Sequence, residues 1–578
     1  MHNPFPFKRI AEIISRHRWS ICAGTISLVL ANLFAFYFIK AEQYIYYWDF
    51  VNYWSKFIHL SETFSEDIVG ALKILIHSVH HGGYNYLPAV FLMPFGLIGG
   101  CSRSVYILSI VNVYSLAAVF SLIIVHQRIC RMCRIDSVFA PIVAIATVFL
   151  SPNFWDPILY GYPEVGGLFL INIILLLYFT SPYERQRSRR LILIALLISF
   201  LILFRRAFAY WGMGFYVSLL IVEGGGLFLK RKGRWAHFST ILSRISLQVL
   251  CSIIFLFILA PFATFFLIKT NHVDIHSAYR LSDSLFHGLA GVGKSFGLFF
   301  MALSMAGAVV GLKCQRTRKL SIFLIVQWVL IFILYSKTQD FYPHHLYILM
   351  PALYIWCALF ISYLMAKIKR FQLLIVAVFA MIFLLNFIEA FTQGTFWYSR
   401  ICPRLFTNIQ HLPLKRNDLK EIERLLYVME RTAVNPDDRV YVLASSQGIN
   451  SSILSSAPLV LHRHYDIARK IERTHDVDKR DGFPRRLLTA RYVIVADPLQ
   501  FHLAPRDQEV VGIPADMFLR NEGIAESFIK LPFEFRLDND VLLYIFKKVK
   551  PFKRSHLVDL SLQLKRRYPS RPYLYQID

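Results

Sequence analysis

A helix needs about 20 apolar residues to cross the hydrocarbon core of a bilayer, and this chain contains eleven apolar segments at or somewhat below that length. They run roughly 19–39, 104–125, 138–151, 165–180, 191–204, 207–229, 246–268, 296–312, 320–335, 346–366 and 371–389. So many runs cannot be hidden in a water-soluble core. Of the 578 residues, 56% are hydrophobic and only 17% are charged, against about 25% charged in an ordinary soluble domain. The same composition excludes a disordered chain and a secreted disulfide scaffold. The expected fold class is a polytopic α-helical membrane protein of about 11 transmembrane helices.

The formal charge of +26 then reads as topology. With the N-terminus inside, the inner segments hold clusters such as Arg128, Arg131 and Arg134, Arg185 to Arg190, Lys230 to Arg234, and Lys367 to Arg370, and they outnumber the Lys and Arg of the outer loops between spans by more than two to one. That bias predicts N-in, and an odd number of spans predicts C-out. Most of the positive excess is therefore an orientation signal, and nucleic acid is not an expected partner. The first apolar run is as long as a span and no small-residue cleavage site follows it, so it reads as an uncleaved first helix. Cys130 and Cys133 form a CxxC with no second pair, and they read as part of a basic helix flank.

Two domains are expected: 1–389 in the membrane, with a first outer loop at about 40–103, and 390–578 outside it. In the second, DRVYVLAS (438–445), ARYVIVAD (490–497) and VLLYIFKKV (541–549) have the β-branched character of strands. The stretch NDLKEIERLLYVMERT (417–432) has helical apolar spacing, and the alternation points to a small α/β domain. LPAVFLMPFGLIGG (87–100), broken by Pro88 and Pro94, reads as an interfacial or re-entrant element, and SETFSEDIVGALKILIHSV as an amphipathic stretch along the interface.

The informative charges are those of the outer segments, because an ionised group in apolar surroundings is costly unless paired or used. Asp49 follows the first span among Tyr46, Tyr47, Trp48, Tyr53 and Trp54; it is either part of an aromatic belt or a general base in a partly desolvated pocket. Asp156 and Glu164 lie in SPNFWDPILYGYPEVGG (151–167), a loop without a basic residue, and either solvate it or present carboxylates. Arg205 and Arg206 end a short span against the charge bias; they either snorkel or form forked hydrogen bonds with a phosphate. Arg280 and Lys294 are further cations of the outer loop near 269–295. His344 and His345 open a later span; hydrogen bonding to phosphate or sugar suits them better than metal ligation. Neither they nor His77, His80 and His81 match a zinc spacing, so no metal and no cofactor is indicated.

In layout the whole chain resembles the GT-C superfamily of membrane glycosyltransferases. The resemblance is carried by the N-in first span, the long first outer loop with Asp49 soon after that span, the element GGYNYLPAVFLMPFGLIGG, the motif HHLYILMPALYIW and the terminal α/β part. Within that superfamily it is most similar to bacterial polyprenyl-phosphate-sugar-dependent transferases related to protein mannosyltransferases and the aminoarabinose transferase of lipid A. The resemblance implies an enzyme of the bacterial inner membrane with its site and C-terminal domain in the periplasm. Its donor would be a sugar on a polyprenyl phosphate, and its acceptor a lipid, glycan or protein. By that likeness Asp49 matches the first-loop acid that takes the acceptor proton, and Asp156 or Glu164 matches the second acid. Arg205 and Arg206, with His344 and His345, would attend the donor phosphate. Many members pair two acids in the first loop, whereas Phe50 follows Asp49 here. A lipid-linked oligosaccharide flippase and a polysaccharide polymerase or ligase are the alternatives; the former would more often show two related halves, the latter a large loop between late spans.

Overall fold

The computed structural model describes residues 6–135, 138–225, 234–262, 264–265, 275–282, 284–393, 404–407, 410–461 and 463–577, with the backbone alone for 6–21 and 234–237. The basic residues Lys230 to Lys232 and Lys269, used in the orientation argument, lie outside the described residues. The chain divides into two compact units: Met1–Ala41, Tyr53–Thr270 and Ser282–Leu412, and Glu42–Asn52, Asn271–Leu281 and Pro413–Asp578.

The first unit is helical. It opens with α1 (Pro6–Lys40), and α2 (Asp49–Glu66) and α3 (Ile68–His81) follow in the long first loop. In the described residues each of the eleven apolar segments overlaps a helix, among them Arg103–Met132, Val165–Phe179, Ser188–Phe204, Phe208–Gly225, Arg234–Leu259, Arg318–Ser336 and Met350–Lys367. Among the described residues six helices are long and apolar enough to span a bilayer, or eight if two bent pairs each count as one. The two bent pairs take up segments 138–151 and 296–312. Ala140–Phe149 breaks at Ser151 and Pro152 and turns by 51° into Pro152–Leu159, and Leu285–Phe296 turns by 100° into Leu298–Lys313. The second bend sits on Gly297, at φ +77°, a conformation that costs glycine little.

Large apolar side chains stand exposed along these helices, including Ile26, Leu30 and Leu33 of α1 and Leu373, Leu374 and Met381 of Gln372–Phe391. A contiguous apolar exterior of this kind is a lipid-facing surface, and the chain is an integral membrane protein. Inside, small residues let backbones approach, as is usual between helices in lipid. A Cβ on Gly307 would fall 1.8 Å from the Trp356 carbonyl, and Ser304 Oγ donates to the Leu353 carbonyl at 3.0 Å. Several polar side chains between helices are paired: Asn32 with Asn112, His126 with Ser362, and Glu223 with both Tyr178 and Lys319. In the first loop, α3 leaves Ile68, Val69, Leu72 and Ile76 exposed, and the segment after it folds into two short helices, Leu87–Val90 and Met93–Gly99.

The second unit is a five-stranded mixed sheet in the order β2-β1-β3-β5-β4, with β1 Val440–Leu443, β2 Ile471–Glu472, β3 Tyr492–Asp497, β4 Phe528–Arg536 and β5 Leu542–Lys548. β1 runs parallel to β2 and β3, while β5 is antiparallel to β3 and β4. Both faces are covered, so the strands read as apolar runs. Val440 and Val442 meet Ile422, Leu425, Leu426 and Met429 of helix Leu419–Thr432 on one face; Tyr441 and Leu443 meet Val510, Phe518, Leu560 and Leu564 on the other. The unit is not one contiguous tail: Ile45 and Tyr47, from the chain just after α1, are part of its core.

Candidate functional site

In the first unit the segment 151–167 is held at almost every turn. Tyr354 donates to Ser151 Oγ (3.1 Å), Asn153 to the Ser295 carbonyl (2.8 Å), and Tyr347 to the Phe154 carbonyl (2.6 Å). Tyr106 donates to the carbonyl of Gly161 (2.9 Å), and the Arg103 guanidinium packs under Gly161 while facing the rings of Trp54 and Tyr106. Gly161 has φ +83°, and a Cβ there would lie 2.6 Å from Arg103 Nη1, so the position needs glycine twice over.

This clamped segment fixes two buried carboxylates. Asp156, 1% exposed, pairs with His411 Nδ1 at 2.5 Å. Glu164, also 1% exposed, pairs with Arg205. Arg205 lies just beyond helix Ser188–Phe204, in extended backbone, with its N–H still bonded to the Leu201 carbonyl. Its Nη1 donates to Tyr53 Oη at 2.8 Å, and its guanidinium lies 5.0 Å and 5.4 Å from the ring centres of Tyr53 and Tyr84. Arg206 lies over the same Tyr84 at 4.9 Å, beside Gly83. Two guanidinium groups thus share one tyrosine ring, one paired to a carboxylate and the other half-buried. Cation–π contact holds such groups without neutralising them.

His344 stacks on Tyr162 at 4.2 Å with the rings 9° apart. Desolvation, then His345 and then Arg205, hold its pKa well below the usual imidazole value, so it is a neutral hydrogen-bonding group. His345 faces Tyr335 at 5.0 Å. Glu164, Arg205, Arg206 and His344 are therefore gathered around Tyr53, Tyr84 and Tyr162, while Asp156 pairs with His411. Asp49 belongs to the second unit. It is the half-buried first residue of α2, after Trp48, whose φ is +45°. Arg280 is also in the second unit, and Lys294 lies in Leu285–Phe296, where its carbonyl accepts from Thr407.

Sequence reasoning did not find His411 or the structural roles of Arg103 and Tyr106; no spacing connects them to the acids they support. Among the described residues no group of three or more His, Cys, Asp or Glu is placed to hold a metal ion. His77 and His81 stack on each other at 4.4 Å near the end of α3.

These features define a polytopic membrane protein whose helical unit keeps a cluster of guanidinium, carboxylate and tyrosine groups at the ends of short helices, joined in sequence to a mixed-sheet unit. The chain is similar in fold to ArnT from Cupriavidus metallidurans: the crystal structure bound to undecaprenyl phosphate matches over 90% of this chain and 97% of that one, with a TM-score of 0.51 at 11% identity. The apo state of ArnT gives 0.48 over the same shares at 11% identity, and the Archaeoglobus fulgidus oligosaccharyltransferase tethered with an acceptor peptide gives 0.45 at 12% identity, over 89% of this chain and 74% of that one. The likeness is one of fold. No protein-family model matches the sequence, and no curated protein does.

Proposed function

We propose that this chain is a membrane glycosyltransferase that moves a sugar from a polyprenyl-phosphate donor to an acceptor on the outer side of the membrane. The observation that carries the reading is the Arg205–Arg206 pair on Tyr53 and Tyr84 in a chain whose fold is similar to that of a protein crystallised with undecaprenyl phosphate. The membrane would be the bacterial inner membrane with N-in and C-out orientation, and 390–578 would form the main part of the periplasmic domain.

The acceptor hydroxyl or amine attacks the anomeric carbon, its proton passes to a carboxylate, and the carbon–oxygen bond to the lipid phosphate breaks with the electron pair leaving on phosphate. Asp49 is assigned the proton-accepting role. Arg206 is assigned to the phosphate, where charge grows as the bond breaks. Arg205 is already bonded to Glu164 and Tyr53, so its part is to fix this cationic group; Glu164 acts through Arg205, and Asp156 through the backbone of the loop it anchors. His344 and His345, with His344 neutral, donate or accept hydrogen bonds to phosphate or sugar.

The test is release of undecaprenyl phosphate from a panel of undecaprenyl-phosphate-linked hexoses and pentoses, with the chain in proteoliposomes and envelope extract as acceptor source. Mass spectrometry of envelope glycolipids and glycoproteins with and without the gene identifies the product. Asp49→Asn is expected to abolish release while leaving expression intact, and Arg206→Ala to raise KM for the donor. Unchanged release by Asp49→Asn removes Asp49 from the mechanism.

A further inference from the structure

The chain just before Asp49 is anchored in the second unit with unusual completeness. Gln43 exchanges backbone hydrogen bonds with the Leu414 carbonyl (2.9 Å) and the Arg416 N–H (2.8 Å). Ile45 and Tyr47 are buried in the core of the sheet. The Tyr46 carbonyl accepts from Ser456 Oγ at 2.5 Å, and the Trp48 N–H donates to Ser452 Oγ at 2.8 Å. Both serines lie on one helix, Ser451–Leu461.

Trp48 itself is in the left-handed region at φ +45°, which a residue with a Cβ adopts only when its surroundings over-determine it. Here the surroundings do. Its ring lies 4.5 Å from the imidazole of His502, and that imidazole is fixed in turn by Ser445 Oγ (2.9 Å) and Gln508 Nε2 (3.0 Å), with Tyr279 against it at 6.1 Å. The Trp48 carbonyl accepts from the Asn52 N–H at 3.0 Å and so opens α2, leaving the Asp49 carboxylate in the first helical turn, where the helix dipole favours a negative charge. The turn into α2 is therefore decided by contacts from 445–508 and not by the local sequence, which has no glycine at the one position whose φ would favour it.

We infer that the second unit has a positioning role in the reaction: Ser452, Ser456 and the His502 ring hold Trp48 in its left-handed turn and thereby aim Asp49. This rests on the assignment of Asp49 as the proton acceptor. It gives the sheet unit a function in transfer and names the link as three side chains acting on the stretch 46–48.

The experiment compares Ser452→Ala, Ser452→Thr, Trp48→Ala and Asp49→Asn in full-length chain in proteoliposomes, with the undecaprenyl-phosphate-linked sugar that the wild type turns over. Ser452→Ala and Trp48→Ala are expected to lower kcat about tenfold or more with little change in KM for the donor, because a misplaced base fails in the transition state while donor binding survives. Ser452→Thr keeps the hydroxyl and is expected to restore kcat. Amide hydrogen exchange of β1 and β3 in each variant separates mispositioning from loss of the fold, since it stays at the wild-type level if only the turn is altered. An inactive Asp49→Asn beside a fully active Ser452→Ala, or a loss of kcat that Ser452→Thr does not repair, overturns the positioning role alone. A fully active Asp49→Asn overturns the assignment of the base, and the positioning role with it.

Discussion

Glu164 and Arg205 form an ion pair in which neither side chain is more than 8% exposed, and the guanidinium also bonds to Tyr53. A buried pair of this kind is a weak source of net stability, yet removal of one partner strands the other charge at a cost of about 3–5 kcal/mol. Glu164→Gln and Arg205→Gln are each expected to lower the melting temperature of the chain in nanodiscs strongly. The double variant should be less destabilised than the sum of the two, because neither charge is then left alone. Strict additivity would show that the two side chains do not share an interaction.

Asp156 and His411 predict an asymmetry. In Asp156→Asn the amide oxygen still accepts from His411 Nδ1, and no charge is stranded. In His411→Ala a carboxylate that is 1% exposed loses its partner at 2.5 Å. The His411 variant is expected to be the less stable of the two by about 1–3 kcal/mol, measured by thermal unfolding at one pH. Equal losses would mean that the carboxylate is satisfied by other groups.

Gly161→Ala tests the clamp on the acidic loop. The added methyl meets Arg103 Nη1 at 2.6 Å, and φ +83° adds about 1–2 kcal/mol of backbone cost for a residue with a Cβ. Arg103 is itself buried against Trp54 and Tyr106, so it has little room to retreat. The expected result is a lower melting temperature together with loss of transfer. Gly24→Ala, where a Cβ meets nothing within 4 Å, is expected to be neutral or slightly stabilising in the same assay.

The apolar helices were legible, though not their number as spans, because the bilayer sets the length of a span, and β1, β3 and β5 were legible because both faces of the sheet are covered. β2 has two residues and leaves no pattern. β4 alternates, but Pro532 and the irregularity between Lys530 and Glu534 interrupt its period. Residue types at the site could be read, since an acid or guanidinium near apolar helix ends is conspicuous; their partners could not. Glu164 and Arg205 lie on different elements, and His411 belongs to no motif. The aromatics around Asp49 read either as a belt at the membrane interface or as a pocket around a base. Ile45 and Tyr47 prove to be core residues of the second unit, which no local pattern could reveal.

In the second unit Asp478 predicts a stability that falls as pH rises. Its carboxyl group is 1% exposed and is pushed up to about 6, burial outweighing the hydrogen bonds it accepts from Tyr568 and from the N–H groups of Val510 and Glu509. Unfolded, an aspartate titrates near 3.9. Between about pH 4 and pH 6 the folded chain therefore holds more protons than the unfolded one, and stability drops with rising pH by up to about 1.4 kcal/mol per unit. Asp476 is displaced in the same direction by burial. Asp481 is displaced the opposite way, since its bonds to Arg480 outweigh its burial, and its contribution is lost only at lower pH, outside this window. Protection factors of the β1 and β3 amides in the full chain should accordingly be higher at pH 5 than at pH 7. Asp478→Asn offers one acceptor where two N–H groups need it, so it should be less protected throughout and show a shallower dependence between pH 4 and pH 6. A variant with the wild-type slope would show that Asp478 is ionised alike in the folded and unfolded chain.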